Sequence, residues 1–166
     1  MATTYLQRAA DGERLDWDRY FAAIAQAVAT RSTCSTRQVG ALLVRPDDRQ
    51  ILSTGYNGTV PGALHCSDGG CPRSGGEQPP ESGVLNDADP ATACHAVHAE
   101  INALARLEGL ARGTTMYTTT SCCFTCAKAL TAAGVAEIVA VDPYPAFEAV
   151  RAWLLRNGVR VRLLRD

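Results

Sequence analysis

Two short motifs bring together the side chain types that zinc enzymes use. His98-Ala99-Glu100 stands at the start of one predicted helix, and Cys123-Phe124-Thr125-Cys126 stands at the start of the next. A catalytic zinc ion commonly takes three protein ligands and leaves its fourth position to water. His98, Cys123 and Cys126 supply that number and those types of ligand, and Glu100 remains free to move protons. Together the motifs favour a catalytic zinc over a structural zinc or a redox-active dithiol.

The spacing within both motifs suits the first turn of a helix. Residues two apart do not share a face inside a helix, but His98 and Glu100 can converge at a helix N-terminus, where a metal lies off the end. Cys123 and Cys126 are three apart, which makes them neighbours on a helix. Exposed N–H groups and the positive end of the helix dipole favour thiolates there. Two adjacent helix starts facing one metal would form a coherent site.

Alternating helices and strands are predicted to position these motifs. The predicted helices cover residues 16–32, 93–107, 123–133 and 146–157. The predicted strands cover residues 39–44, 51–54, 114–119, 135–141 and 159–164. Asp16 is the predicted N-cap of the first helix, and Pro46 with the aspartates beside it predicts a hairpin between the first two strands. This pattern predicts an α/β fold, a three-layer α/β/α sandwich around a five-stranded mixed sheet.

Length and composition set the class of protein. The 166 residues predict one domain, residues 1–166, with a Gly/Pro/Cys-rich insertion at about 61–93. A hydrophobic content of 46% excludes disorder as the global state, and a net charge of −1 disfavours a long nucleic-acid partner. No apolar run is long enough to cross a membrane, and residues 1–18 lack a signal-peptide core, so we expect a cytoplasmic protein. Its seven cysteines are then more typical of metal sites than of disulfides.

The order of motifs resembles the cytidine deaminase superfamily, and more narrowly the deoxycytidylate (dCMP) deaminases. The resemblance extends over about residues 31–144. Its markers are RSTC at 31–34, VGA at 39–41, ILSTGYNG at 51–58, HAEINA at 98–103 and CFTCAK at 123–128. The family normally has proline before the first cysteine ligand, where this chain has Cys122, and we expect Cys122 to be a small buried residue.

The resemblance implies a cytidine deaminase-like fold and hydrolytic deamination of dCMP to dUMP with release of ammonia. It implies that His98, Cys123 and Cys126 hold zinc and that Glu100 carries the protons. Substrate binding is expected from a further set of residues: Asn57, Tyr56, Gly58 and Tyr144. An ordinary turn aromatic is the alternative for Tyr144.

Two other functions stay open. One is deamination of another amino-heterocycle, such as a modified cytosine nucleotide, a free nucleoside or a base; the other is a non-catalytic, zinc-binding regulatory protein. A nucleotide substrate needs cations for its phosphate, and the candidates are Arg31, Arg37, Arg73 and Lys128. The resemblance further implies homo-oligomers, up to hexamers, with dCTP and dTTP as allosteric effectors, and a small-molecule rather than a membrane partner.

A second group of cysteines predicts a second metal site. Some dCMP deaminases carry a structural zinc on cysteines that match Cys34 and Cys66. Four nitrogen or sulfur ligands would close such a site and tie down the insertion. The candidates for the other two ligands are Cys71, Cys94, His95 and His65. Buried free cysteines are the alternative.

Overall fold

Helices and strands alternate along the chain in the predicted order. The computed structural model describes residues 14–72 and 94–164. Within these ranges the helices are α1 (Trp17–Ala29), α2 (Ala99–Ala105), α3 (Phe124–Ala132) and α4 (Phe147–Arg156). The strands are β1 (Gly40–Arg45), β2 (Gln50–Tyr56), β3 (Thr115–Thr120), β4 (Glu137–Asp142) and β5 (Arg160–Leu163). Asp16 caps α1 as predicted, because its side chain accepts a hydrogen bond from the Arg19 N–H.

The five strands form one mixed sheet in the order β2-β1-β3-β4-β5. β1 runs antiparallel to both β2 and β3, whereas β3, β4 and β5 are parallel. As a result β2, β3 and β4 end, and β1 begins, at the same edge, which we call the site edge. The Gly40 N–H donates to Thr119 Oγ1 there at 3.2 Å, joining the start of β1 to the end of β3.

Helices cover both faces of this sheet, which confirms the three-layer sandwich. On one face, Phe21 and Ala25 of α1 pack with Leu42, Tyr117 and Val139 of the sheet. On the other face, α2, α3 and α4 pack on the remaining strand side chains through a larger set of apolar residues: Ala41, Leu43, Ala103, Met116, Leu130, Ile138, Val150 and Leu154. Burial of these apolar side chains is the main favourable contribution to folding.

The start of α2 differs from the prediction. A helix was expected from residue 93, but α2 begins only at Ala99, and residue 93 lies outside the described ranges. Val97 instead pairs with Gly58 in an isolated antiparallel bridge, with hydrogen bonds of 2.8 and 3.1 Å. His98 then has an extended backbone, with φ −69° and ψ 151°, and occupies the N-cap of α2. The long-range pairing therefore shortens the helix and moves His98 to its very start.

Gly55 in β2 lets α2 lie directly against the sheet. A Cβ at this position would overlap the carbonyl oxygen of Ala99 and the backbone nitrogen of Ala103. Any larger residue would therefore push α2 off the sheet. The position of α2 thus depends on the missing side chain of one glycine.

A polar network fixes α1 to the sheet. Tyr117 Oη donates to one oxygen of Asp18 at 2.7 Å, and Arg162 Nη1 donates to the other at 2.7 Å. Burial alone would raise the pKa of Asp18, but the hydrogen bonds from Arg162 and Tyr117 lower it below its usual value. Arg162 Nε also donates to Glu137 at 2.8 Å, so the network joins α1, β3, β4 and β5.

No helix in the described ranges is long and apolar enough to cross a membrane.

Candidate metal centre and active site

The starts of α2 and α3 bring the predicted ligands together beside the site edge. His98 is the N-cap of α2 and Cys123 is the N-cap of α3. The Cys123 sulfur accepts a hydrogen bond from the Cys126 N–H at 3.5 Å, so it caps the helix as a hydroxyl or carboxylate would. α3 follows β3 directly, so its first turn starts where β3 ends. His98 and Cys123 therefore each lie at the start of a helix, as the two motifs predict.

The three predicted zinc ligands form one compact group, which we call the metal triad. His98 Nδ1 lies 3.2 Å from Cys126 Sγ and 3.4 Å from Cys123 Sγ. All three donor atoms lie within 4.8 Å of one another, and in the described ranges this is the one group of three or more histidine, cysteine or acidic side chains that does so. One imidazole nitrogen and two sulfurs are a donor set that catalytic zinc uses. The residues therefore fit the ion.

Glu100 lies against the metal triad. Only 4% of its surface is exposed, and its Oε2 lies 3.7 Å from Cys126 Sγ. Burial raises the pKa of this carboxyl group above its usual value. A buried carboxyl beside a metal site can take up and release protons without competition from bulk water.

The two thiols of the metal triad have unequal acidity. The hydrogen bond from the Cys126 thiol, together with His98 and the Cys126 N–H, lowers the pKa of Cys123 to about 4. Donation to Cys123, together with burial, raises the pKa of Cys126. Cys122 beside them is 2% exposed and packs in the core, as expected for a residue in the place of a proline. Burial also raises the pKa of Cys122.

Asn57 organises the segment that leads into β1. Its Oδ1 accepts from the Val39 N–H at 2.8 Å and from Ser32 Oγ at 2.7 Å. Its Nδ2 donates to the Arg37 carbonyl at 2.8 Å. Only 8% of the Asn57 surface is exposed. Asn57 therefore holds the backbone on either side of residue 38, and its contact with substrate stays a prediction.

Tyr56 and Gly58 lie next to the segment that carries the metal ligand of α2. The Tyr56 carbonyl accepts from Asn102 Nδ2 at 2.8 Å, which ties the end of β2 to α2. Gly58 pairs with Val97, the residue before His98. The GYNG segment thus positions α2 through its backbone, a role that the sequence did not reveal.

Tyr144 lies in the loop after β4 and is half-buried. Its N–H donates to Ser121 Oγ at 2.8 Å, and Ser121 is two residues before Cys123. The Arg37 guanidinium carbon lies 4.9 Å from the centre of the Tyr144 ring. Sequence reasoning missed Ser121; the signal available was a polar residue directly after a buried strand and before the cysteine pair.

The cysteines of the second group, all within the described ranges, lie near enough to act on one another, but no three of their sulfur atoms come within 4.8 Å of one another; we call them the loop thiol group. Its members are Cys34, Cys66, Cys71 and Cys94. Burial, with nearby Cys71 as a hydrogen-bond partner, raises the pKa of Cys66 to about 11, and the thiols of Cys34 and Cys94 add to this shift. His95 is exposed, and His65 Nδ1 pairs with Thr59 Oγ1 at 3.2 Å.

Comparison with known families confirms the resemblance to the deoxycytidylate deaminases. The family model described as the cytidine and deoxycytidylate deaminase zinc-binding region matches residues 15–142. The chain belongs to this family. Deoxycytidylate deaminase of Mycobacterium phage D29 is 44% identical over 128 residues, covering 76% of this chain and 94% of that protein. Deoxycytidylate deaminase of Schizosaccharomyces pombe is 36% identical over 151 residues, covering 90% of this chain. This deaminase spans 44% of the length of the yeast relative.

Solved structures share the fold of this deaminase. The dCMP deaminase of cyanophage S-TIM5, in complex with dCMP and dUMP, superimposes with a TM-score of 0.69 at 25% identity, covering 92% of this chain and 99% of that one. RibD of Acinetobacter baumannii superimposes with a TM-score of 0.58 at 24% identity, covering 89% of this chain and 35% of that one. The cytidine deaminase-like fold predicted from the sequence is confirmed.

Proposed function

We propose that this protein hydrolyses dCMP to dUMP and ammonia. The observation that carries the proposal is the metal triad with the buried carboxyl of Glu100 in contact with it. The names of the phage and yeast relatives, and the dCMP and dUMP bound to the cyanophage enzyme, support the choice of substrate. A structural zinc site has no need of a buried acid at its side, which favours an enzyme over a regulatory protein.

Deamination replaces the exocyclic amine on C4 of cytosine with the oxygen of water. His98, Cys123 and Cys126 would hold the zinc ion, which would act as a Lewis acid and lower the pKa of water. Glu100 accepts one proton from the attacking water and delivers it to N3 of the ring as the C4–O bond forms. Glu100 then transfers the remaining hydroxyl proton to the amine. The C4–N bond breaks, ammonia leaves, and C4 keeps the oxygen as a carbonyl.

A substrate panel tests this proposal. Zinc-loaded protein is incubated with dCMP, CMP, deoxycytidine, cytidine and cytosine, and ammonia release is measured for each. We expect the highest kcat/KM with dCMP. Turnover of a nucleoside or base without turnover of dCMP would overturn the substrate and support the alternative amino-heterocycle deaminase. Zinc binding without turnover of any compound would support the regulatory protein.

We also propose a second, structural zinc on the loop thiol group. The support is that Cys66 is buried with Cys71 as a hydrogen-bond partner, and that Cys34 and Cys94 act on the same thiol. Four sulfur ligands would close a tetrahedral site. Because Cys94 acts on the Cys66 thiol, Cys94→Ser should remove one zinc per chain, and His95→Ala is the comparison that tests the alternative ligand. One zinc per chain in the fully active wild type would contradict this assignment.

Four further properties are proposed on the family resemblance. We infer that residues 1–166 form a single zinc-dependent deaminase domain with an insertion at about 61–93, and that the protein acts in the cytoplasm. We also infer homo-oligomers, up to hexamers, and regulation by dCTP and dTTP. Large exposed apolar side chains on α1, α3 and α4 support association: Trp17, Tyr20, Phe124 and Leu155. Light scattering with and without dCTP tests the oligomer, and dCMP turnover in the same samples tests the regulation.

A further inference from the structure

The HAEINA motif contains a third polar side chain, that of Asn102, besides the metal ligand and the proton carrier. Asn102 lies one turn after the start of α2, and its backbone N–H donates to the carbonyl of His98 at 2.9 Å. Its side chain does not belong to the metal triad. Asn102 is partly buried, and a carboxamide removed from water needs hydrogen-bond partners within the protein. Those partners show what the side chain does.

The Asn102 carboxamide joins two segments that lie beside the start of α2. Its Nδ2 donates to the carbonyl of Tyr56, the last residue of β2, at 2.8 Å. The same nitrogen lies 3.5 Å from the carbonyl oxygen of Val97, the residue before His98. An amide nitrogen has two protons, so it can serve both carbonyls at once. One side chain therefore connects the end of β2 and the segment that leads into His98 with the helix that carries Glu100.

The surrounding backbone brings this amide within reach of both partners. A Cβ on Gly55 would lie 2.9 Å from the carbonyl carbon of Asn102, so α2 rests directly on β2 at this point. Gly58 holds Val97 from the other side, with hydrogen bonds of 2.8 and 3.1 Å. The bridge attaches Val97 to the GYNG segment, and the Asn102 amide attaches both to α2.

A small displacement of α2 would move both functional side chains at its start. His98 is the N-cap of α2, and Glu100 lies in its first turn. Glu100 Oε2 lies 3.7 Å from Sγ of Cys126, which belongs to α3, so the place of Glu100 depends on how α2 lies against α3. Proton transfer needs donor and acceptor atoms within about 3 Å of each other, so a shift of about 1 Å is enough to slow it.

We propose that Asn102 is a positioning residue, whose carboxamide fixes the first turn of α2 so that His98 meets the other metal ligands and Glu100 faces the reacting atoms. Asn102 acts through these two residues and is not itself a ligand or a proton carrier. This assignment rests on the proposed deamination, because it names a residue that orients the proton carrier of that reaction. Loss of such a residue weakens metal binding and slows the reaction, and it leaves substrate binding unchanged.

The first test measures metal binding without any reaction. The dissociation constant of zinc is measured by competition with a chelator, in a Cys66→Ser background so that zinc on the loop thiol group does not contribute. Asn102→Asp keeps the shape but sets a carboxylate against the Tyr56 carbonyl, and Asn102→Ala removes the amide and keeps a good helix former. We expect both variants to bind zinc roughly 10-fold more weakly, as for other groups that orient metal ligands. Unchanged affinity in both would overturn the proposal.

The second test asks whether the loss of rate depends on Glu100. With zinc at saturation, Asn102→Asp should lower kcat for dCMP roughly 10- to 100-fold, as for a displaced catalytic group. Its KM should stay within about twofold, because proton transfer contributes to the transition state and not to substrate binding. Added to Glu100→Gln, the same substitution should change the remaining kcat by less than about twofold, since its effect acts through Glu100. An equal loss of kcat in both backgrounds would show a general structural role and overturn the proposal.

Two control variants remove similar contacts elsewhere. Asn157 Nδ2 also donates to a backbone carbonyl at 2.8 Å, that of Trp153, so Asn157→Asp removes a bond of the same chemistry at the C-terminal end of α4. Arg106 lies over the Tyr56 ring at 5.5 Å, so Arg106→Gln removes another contact between the end of α2 and the end of β2. Both variants should keep the zinc affinity and the kcat of their parent. The same losses in either control would reject the assignment to Asn102.

The two measurements keep this inference separate from the proposed function. Urea unfolding establishes that each variant is folded, and Asn102→Ala serves alone if Asn102→Asp does not fold. If no cytosine compound is deaminated but zinc affinity still depends on Asn102, deamination fails and the role of Asn102 at the start of α2 stands. If dCMP is deaminated and neither zinc affinity nor kcat changes in the Asn102 variants, the positioning role fails and deamination stands.

Discussion

The metal triad and the loop thiol group are both rich in sulfur, but they are built in different ways. Two of the triad's donors are N-caps of helices whose other residues pack on the sheet. Its donor atoms meet within 4.8 Å. The loop thiol group joins segments outside the sheet, before β1, after β2 and before α2, and does not meet the same limit. The fold itself thus preforms the metal triad, whereas the sulfur atoms of the loop thiol group lie farther apart.

The same difference appears in the acidity of the thiols. Hydrogen bonds from Cys126 and His98 lower the pKa of Cys123 to about 4. Burial and neighbouring thiols raise the pKa of Cys66 to about 11, so a zinc ion that binds this sulfur must displace its proton. Helix N-termini stabilise negative charge, and a cluster of thiols in loops does not. One site is prepared for chemistry, and the other is suited to a structural role.

The largest expected effect separates the catalytic from the structural site. Glu100→Gln should lower kcat for dCMP roughly 10³-fold, because an amide cannot carry the protons that a carboxyl does. Zinc content and melting temperature should stay at wild-type values, since the substitution keeps the shape of the side chain. Glu108→Gln, on an exposed residue after α2, is the control and should keep full activity. Full turnover in Glu100→Gln would show that the triad is not part of an active site.

The next largest effect is expected from Cys66→Ser, which should lower the free energy of unfolding and leave kcat unchanged. Cys66→Ser removes the buried sulfur of the loop thiol group. At a zinc concentration of about 100 times the dissociation constant, loss of that ion should lower the free energy of unfolding by about 3 kcal/mol. Urea unfolding measures it, with kcat on the same protein. Removing the zinc of the loop thiol group from wild type with a chelator should reproduce the loss, and the same treatment should have little effect on Cys66→Ser. If kcat fell in Cys66→Ser under conditions where the variant stays folded, the distinction between the two groups would be lost.

A smaller effect is expected from Gly55→Ala, which should lower both the free energy of unfolding and kcat. Gly55→Ala places a methyl group where the backbone of α2 lies, and overpacking of this kind costs about 2 kcal/mol. Because α2 carries Glu100 and has His98 as its N-cap, kcat should fall as well. Gly109→Ala is the comparison, since a Cβ there meets no atom within 4 Å, although its φ of 115° adds some strain. Unchanged kcat in Gly55→Ala would show that the site tolerates displacement of α2.

The smallest expected effect is a pH dependence that belongs to neither sulfur group. The pKa of Asp18 is lowered in the fold by Arg162 and Tyr117, against the effect of burial. Its contribution to stability is therefore present above the unfolded value of about 3.9 and is lost as the pH falls through the lower folded value. Asp18→Asn should lose about 1 kcal/mol at neutral pH and converge with wild type in acid. Asp47→Asn, on the exposed turn between β1 and β2, should follow the wild-type curve.

The sequence predicted the parts of the site that depend on local rules. The HxE and CxxC motifs, the capping of α1 by Asp16 and the order of the elements all follow from spacing and periodicity within short segments. The predicted start of α2, at residue 93, is wrong because Val97 pairs with Gly58, which is 39 residues earlier in the sequence. The structural use of the Asn57 carboxamide and the contact of Tyr144 with Ser121 were missed for the same reason. Each depends on which distant segments meet, and no local pattern carries that information.

The reversed direction of β1 has a consequence for how the enzyme can be re-engineered. Because β1 is antiparallel to β3, the segment before it reaches the site edge without contributing a residue to the metal triad. This segment carries Arg37, while the triad belongs to the later part of the chain. The segment before β1 and the metal triad thus come from separate stretches of sequence that meet at the site edge. A library confined to residues 30–39 would therefore vary this edge without changing a metal ligand or Glu100.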